Sequence, residues 1–132
     1  MVADTDNKPQ NKRITGSEGE KAAIDILQRN SFIIIEKNFR FSRLGEIDII
    51  AQDGEYICFI EVKSRSSLAF GQPSEAVTRK KMDNIIRLSQ IYLKKHHLEN
   101  ANVRFDIIEI IYKKSHDNFI VLDSNIIKNA FY

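Results

Sequence analysis

Along this 132-residue chain the spacing of apolar positions changes period several times. In GSEGEKAAIDILQRN, residues 16–30, Ala23, Ile24 and Leu27 recur at helical spacing, and Glu18 and Asp25 fall on the other side. Glu20 breaks that division. It precedes Ala23 and Leu27 by three and seven residues and so lies on or beside the inward stripe. FIIIEKNFRF, rich in β-branched and aromatic residues, then predicts a first strand. GEIDIIAQDGEYICFIEVKSR, residues 45–65, holds two alternating runs around Asp53-Gly54, a dipeptide that tolerates positive φ and predicts a hairpin. Helical spacing returns from about Glu75 to His97, with Val77, Met82, Ile85, Ile86, Ser89 and Leu93 on the packed side. VRFDIIEIIYK and NFIVLDS predict a second hairpin joined through KSHD, and the apolar ending IIKNAFY is expected to dock on the body. The order α-β-β-β-α-β-β implies an α/β sandwich built on a mixed β-sheet with flanking helices.

The first 15 residues have little to bury and predict a disordered arm ahead of a single domain over residues 16–132. Hydrophobic residues at 42% and charged ones at 29% fit an ordinary globular protein. A net charge of +2 is too small to argue for nucleic acid by itself, so the placement of the 20 Lys and Arg decides. The single cysteine, Cys58, lies in an apolar strand and reads as a packed, inert thiol. No apolar run reaches membrane-spanning length and the polar N-terminus lacks a signal-peptide core, so a cytoplasmic protein without a membrane partner is expected. His96, His97 and His116 share no ligand spacing, which leaves no zinc site indicated.

The candidate chemistry lies in the hairpin. With Asp53-Gly54 as a two-residue turn, Gln52 pairs with Glu55, Asp48 with Phe59 and Glu46 with Glu61; a four-residue loop keeps this pairing and a three-residue loop shifts it. Alternation then puts Glu46, Asp48, Glu61 and Lys63 on one face. Asp48 and Glu61 become diagonal neighbours roughly 7–8 Å apart at the backbone, within side-chain reach of a common ion. Hard divalent cations such as Mg²⁺ prefer carboxylate oxygens and keep several waters, and a lysine on the same face can orient or help deprotonate one of them. The plain alternative is a solvated sheet face on which Lys63 pairs with Glu61 and Glu46. Arg40, Arg43, Arg65 and Lys81 flank the acidic centre and are candidates for phosphate contact, although each alone reads as a solvated charge. Gln72 and Glu75 shape the rim or the loop, and Asp106 is expected to make a structural hydrogen bond or ion pair.

GSEGEKAA, NFRFSRLGEIDIIAQDG, FIEVKSR, FGQPSEAVTRKK, RFDIIEI and the closing NAF, in order from Gly16 to Phe131, together resemble the YraN family of small bacterial proteins. That resemblance implies a restriction-endonuclease-like fold with a PD-(D/E)xK nuclease core. The wider superfamily includes archaeal Holliday junction resolvases, whose first-helix Glu, strand Asp and Glu-x-Lys are similar to Glu20, Asp48 and Glu61–Lys63. By the resemblance, Asp48 and Glu61 are metal ligands together with the Val62 carbonyl, Glu20 is a further acidic ligand, and Lys63 is the catalytic lysine. Ile60 and Ser64 vary within the strand motif, and no core acid is missing. The expected activity is Mg²⁺- or Mn²⁺-dependent cleavage of DNA, branched or damaged structures included. A non-catalytic nucleic-acid-binding or interaction module that keeps the fold is the alternative. Paired cuts at a four-way junction would need two acidic centres, which a symmetric homodimer supplies.

Overall fold

The computed structural model describes residues 8–69 and 77–132, with side chains from residue 16 onward. Helix α1 (Lys8–Arg29) precedes strands β1 (Ile33–Arg40), β2 (Glu46–Asp53) and β3 (Tyr56–Ser66). A short 3-10 turn at Ser67–Ala69, helix α2 (Arg79–Lys95) and strands β4 (Asn102–Ser115) and β5 (Asn118–Ile127) complete the chain. The five strands form one open sheet in the order β1-β2-β3-β4-β5. Every neighbouring pair is antiparallel except β3–β4 at the centre, which is parallel. Parallel neighbours need a return crossover, and α2 lies within it. The mixed α/β architecture and its element order are those the periodicity predicts.

Boundaries differ from expectation in ways that have causes. Helix α1 begins at Lys8, so half of the segment expected to be a disordered arm has helical backbone. Pro9 falls in the first turn, where its missing N–H is not needed, and Lys, Gln and Arg extend an existing helix at little cost. Residues 1–7, Gln72 and Glu75 lie outside the described residues. Helix α2 starts at Arg79 rather than Glu75, because Thr78 caps it: Lys81 N donates to Thr78 Oγ1 at 3.1 Å. The β2–β3 turn is Gly54-Glu55, with Asp53 paired to Tyr56 and Ile49 to Ile60. Gly54 takes φ +60°, the first-position glycine of a tight hairpin turn. The expected register was thus two residues off, a shift that keeps every side chain on its expected side. In the second hairpin His116 and Asp117, at φ 50° and 68°, suffice for the turn.

A core forms on each side of the sheet. On the α1 side Ala23, Leu27 and Phe32 pack on Ile49, Ala51, Cys58, Ile60, Ile108 and Ile110. On the α2 side Ile85, Leu88 and Tyr92 meet Phe39, Ile47, Ile50, Ile57, Phe59 and Phe105. Leu88 and Tyr92 were missing from the expected stripe, yet both are buried. Tyr92 earns burial through its ring, edge-on to Phe39 and Phe59 at centroid distances of 5.3 and 5.9 Å. Cys58 is fully buried, and that burial pushes its thiol up to about 12, so it stays an inert packing group. In the closing segment Ile126 and Ile127 extend β5, while Phe131 stacks on Phe105 at 5.4 Å and Ala130 N donates to Phe105 O at 2.7 Å.

The far end of β2 is tied by charge. Asp106, fully buried, accepts from Arg104 Nε at 2.9 Å and from Asn129 N at 2.9 Å, as its structural role predicts. Arg104 also reaches Asp53 Oδ2 at 2.8 Å, and Lys128 Nζ lies 3.0 Å from the same oxygen. The hydrogen bond with Asp106 is the main reason Arg104 holds its proton even more firmly than usual. Replacing Arg104 by Met strands a buried carboxylate. The expected loss is about 3–5 kcal/mol in urea-unfolding free energy. A loss below about 1 kcal/mol would show that Asp106 is compensated by other groups.

Candidate metal centre

Strands β2 and β3 part company at Asp48. Their last ladder pair is Ile49 with Ile60, and continuing the register would set Asp48 opposite Glu61. Asp48 Oδ2 accepts the Val62 N–H at 2.8 Å, so a side chain takes over from a main-chain partner where the ladder stops. The alternation breaks at the same point. Ile49 and Ala51 belong to the α1-side core, whereas Ile47 packs on the α2 side with Ile50. Regular period-two geometry would keep Ile47 with Ile49. The single face expected for Glu46, Asp48, Glu61 and Lys63 therefore does not arise from uninterrupted alternation; Asp48 sits at the changeover.

Other carboxylates gather around it. Oxygens of Glu20, Glu46 and Asp48 all lie within 4.8 Å of one another, a group able to hold a metal ion. Glu20 arrives from α1, whose approach depends on Gly19: a Cβ there would sit 2.2 Å from Ser64 Oγ and 3.3 Å from Ser64 Cβ. With its amide turned to donate, Asn38 Nδ2 lies 3.3 Å from Glu20 Oε2 and 3.2 Å from Glu46 Oε2. Glu46 also pairs with Arg40, Oε1 to Nη2 at 2.7 Å. Glu61 is 5% exposed; Lys81 Nζ stands 2.5 Å from its Oε2, and its Oε1 has no hydrogen-bond partner. The group whose oxygens meet the 4.8 Å spacing is Glu20, Glu46 and Asp48, without Glu61, and such a carboxylate set can hold a metal ion.

The electrostatics follow from this crowding. Burial, reinforced by the charge of Glu61, pushes Asp48 up to about 8, although the Val62 N–H pulls the other way. Burial also raises Glu20; Asn38 opposes that shift and Glu46 adds to it. For Lys81 burial disfavours the charge, but the hydrogen bond to Glu61 and the pull of Glu61, Asp48 and Glu46 outweigh it, so its pKa is raised.

Not every candidate joins the cluster. Lys63 is half-buried and lines a groove of about 990 Å³ with Glu61, Arg65, Lys81, Glu109 and Asp123. Among the described residues neither pair of the plain alternative, Lys63 with Glu61 or with Glu46, forms; Lys81 and Arg40 hold those acids instead. Arg65 Nη2 donates to Ala69 O at 2.7 Å, and Arg43 is exposed between β1 and β2. Glu18, expected to face water, is half-buried and lies 3.5 Å from Lys114 Nζ. Glu46 was placed near the site but not read as a ligand. Its position two residues before Asp48 was the available signal.

Asp48 gives the centre a pH signature. Its pKa is raised on folding from 3.8 to about 8, so the folded chain takes up a proton across that interval. The associated stability is full below the lower value and lost as pH rises through the higher one. In chelator, the calorimetric melting temperature should fall from about pH 5 to about pH 8, and Asp48→Asn should flatten that slope. An equally steep slope in the mutant would assign the proton to another group.

Family comparison agrees over most of the chain. Residues 19–110 match the model of the uncharacterised protein family UPF0102. A UPF0102 protein of Acetivibrio thermocellus is 52% identical over 121 residues, covering 92% of this chain and 93% of its own. One from Caldicellulosiruptor saccharolyticus is 42% identical over 121 residues, covering 92% and 99%. Another, from Clostridium botulinum strain Kyoto, is 48% identical over 117 residues, covering 88% and 92%. The match takes in α1 from Gly19, the whole β1–β3 meander and β4 through Ile110, and so every acid of the centre. The chain belongs to the UPF0102 family.

Proposed function

We propose that this protein is a Mg²⁺- or Mn²⁺-dependent nuclease of the restriction-endonuclease-like, PD-(D/E)xK type, hydrolysing phosphodiester bonds of DNA in the cytoplasm. The observation that carries this reading is the gathering of Glu20, Glu46 and Asp48 oxygens within 4.8 Å of one another, beside a buried Glu61 and with Asp48 braced on Val62 N–H. Asp48, Glu61 and Glu20 would hold the ion together with the Val62 carbonyl, and Glu46 adds a fourth acid. The ion, when bound, stabilises charge on the phosphoryl group and acidifies a water. Lys63, in the groove next to Glu61, orients that water through its ammonium, and the water's proton passes to solvent. The water oxygen bonds to phosphorus, the bond from phosphorus to one sugar oxygen breaks, and the leaving oxygen takes up a proton. Arg40, Arg43, Arg65 and Lys81 contribute contacts to flanking phosphates.

A second reading, a non-catalytic nucleic-acid-binding or interaction module, draws on the Lys81–Glu61 pair, which already compensates the buried carboxylate. A cleavage screen over linear, nicked, flapped and four-way DNA separates the two. Lys63→Ala should lower metal-dependent cleavage by about 10²–10⁴-fold with little change in DNA affinity or melting temperature. Full-rate cleavage by this variant would remove Lys63 from the chemistry; absence of cleavage by the unaltered protein on every substrate favours the module.

The two acids of α1 give a sharper comparison. Glu20→Gln should weaken calorimetric Mn²⁺ binding by about tenfold or more, whereas Glu18→Gln, which faces Lys114, should leave it unchanged. Equal behaviour would reduce α1 to packing. A symmetric homodimer belongs to the junction-cleaving version of this reading, and sedimentation showing a monomer with and without DNA would leave single-strand nicking or binding.

A further inference from the structure

Lys81 enters the acidic centre from the α2 side, while Glu20 enters from α1. The two ends of the Lys81–Glu61 pair differ in freedom. Glu61 is almost wholly buried on the central strand β3, whereas the Lys81 side chain is 51% exposed and rises from the first turn of α2. The carboxylate is therefore the fixed partner. The ammonium is the movable one, on a flexible four-carbon stem with the groove beside it. Lys81 is also drawn by the charges of Asp48 and Glu46. One cation has thus been positioned against the group that would receive another.

A buried carboxylate without a cation is costly, and a single cation removes most of that cost. A second cation brought to the same oxygens repels the first and recovers little. We propose that Lys81 is a built-in competitor of the divalent cation: ammonium and metal ion occupy Glu61 in turn, and the ion must displace Lys81 to enter. This inference rests on the metal-centre reading above and adds an order to it. Displacement releases the Lys81 ammonium from Glu61 within the groove that it already lines with Lys63 and Arg65, so its charge is available to a ligand there only once the metal is in place.

Calorimetric Mn²⁺ titration of the full chain tests the competition without any cleavage readout. Lys81→Met and Lys81→Gln should bind Mn²⁺ about tenfold more tightly than the unaltered protein, and Lys81→Arg should bind like it. In a Glu61→Gln background the effect of Lys81→Met should vanish, because the contested group is gone. Melting temperatures give a second measure. In chelator Lys81→Met should melt lower than the unaltered protein, and saturating Mn²⁺ should close that gap. Equal or weaker Mn²⁺ binding in both Lys81→Met and Lys81→Gln would overturn the competition while leaving the metal centre standing. No Mn²⁺ binding by the unaltered protein or by either variant would overturn both.

Discussion

The hydrogen bond from Val62 N–H to Asp48 Oδ2 determines where β2 and β3 stop being a ladder. A buried backbone N–H must find an acceptor, and two strands normally supply one by continuing side by side. Here the acceptor is a carboxylate on the neighbouring strand, so β2 is released from β3 without leaving Val62 unpaired. That release lets Ile47 turn to the other side of the sheet from Ile49. Glu20, Glu46 and Lys81 come from three different elements to gather around Asp48 and Glu61. Without the Asp48 brace these groups would flank an ordinary strand pair.

Charge is handled in opposite ways at the two ends of β2. At the Asp53 end the two interacting acids are matched, since Arg104 and Lys128 serve Asp53 and Arg104 with Asn129 serves Asp106. That end fastens the β2–β3 turn and the C-terminal segment to β4. At the Asp48 end the acids outnumber the cations that reach them, Glu61 keeps an oxygen without a hydrogen bond, and Asp48 is driven far above the usual carboxylate range. Displaced pKa values gather here around the acids whose oxygens can hold a metal ion.

Much of this was readable from residue patterns, and the exceptions share a cause. Element types and order followed from periodicity because each helix and strand buries a continuous stripe. The β2–β3 turn was placed one residue early, which moves the cross-strand register by two, yet the sidedness of Glu61 survived, since a two-residue shift preserves parity. Leu88 and Tyr92 escaped the α2 stripe because an aromatic pocket built by Phe39 and Phe59, far away in sequence, is what buries Tyr92. The break of alternation at Asp48 left no local trace, since Glu-Ile-Asp-Ile-Ile reads equally well as a regular strand. Partners across elements were hardest: Lys63 is the nearer lysine in sequence, but Lys81 on the α2 side reaches Glu61.

Gly19 gives the centre its scale. The helix lies close against β3 at residue 19, where a Cβ would sit 2.2 Å from Ser64 Oγ and 3.3 Å from Ser64 Cβ, and Glu20 is the very next residue. Any bulk at that contact becomes a change in the distance between the Glu20 carboxylate and those of Glu46 and Asp48. Coulomb energies vary inversely with distance and metal coordination tolerates only a few tenths of an ångström, so the helix–strand clearance acts as a gauge block for the acids. The smallest residue in the chain, with no chemistry of its own, sets the spacing at which the charged ones meet.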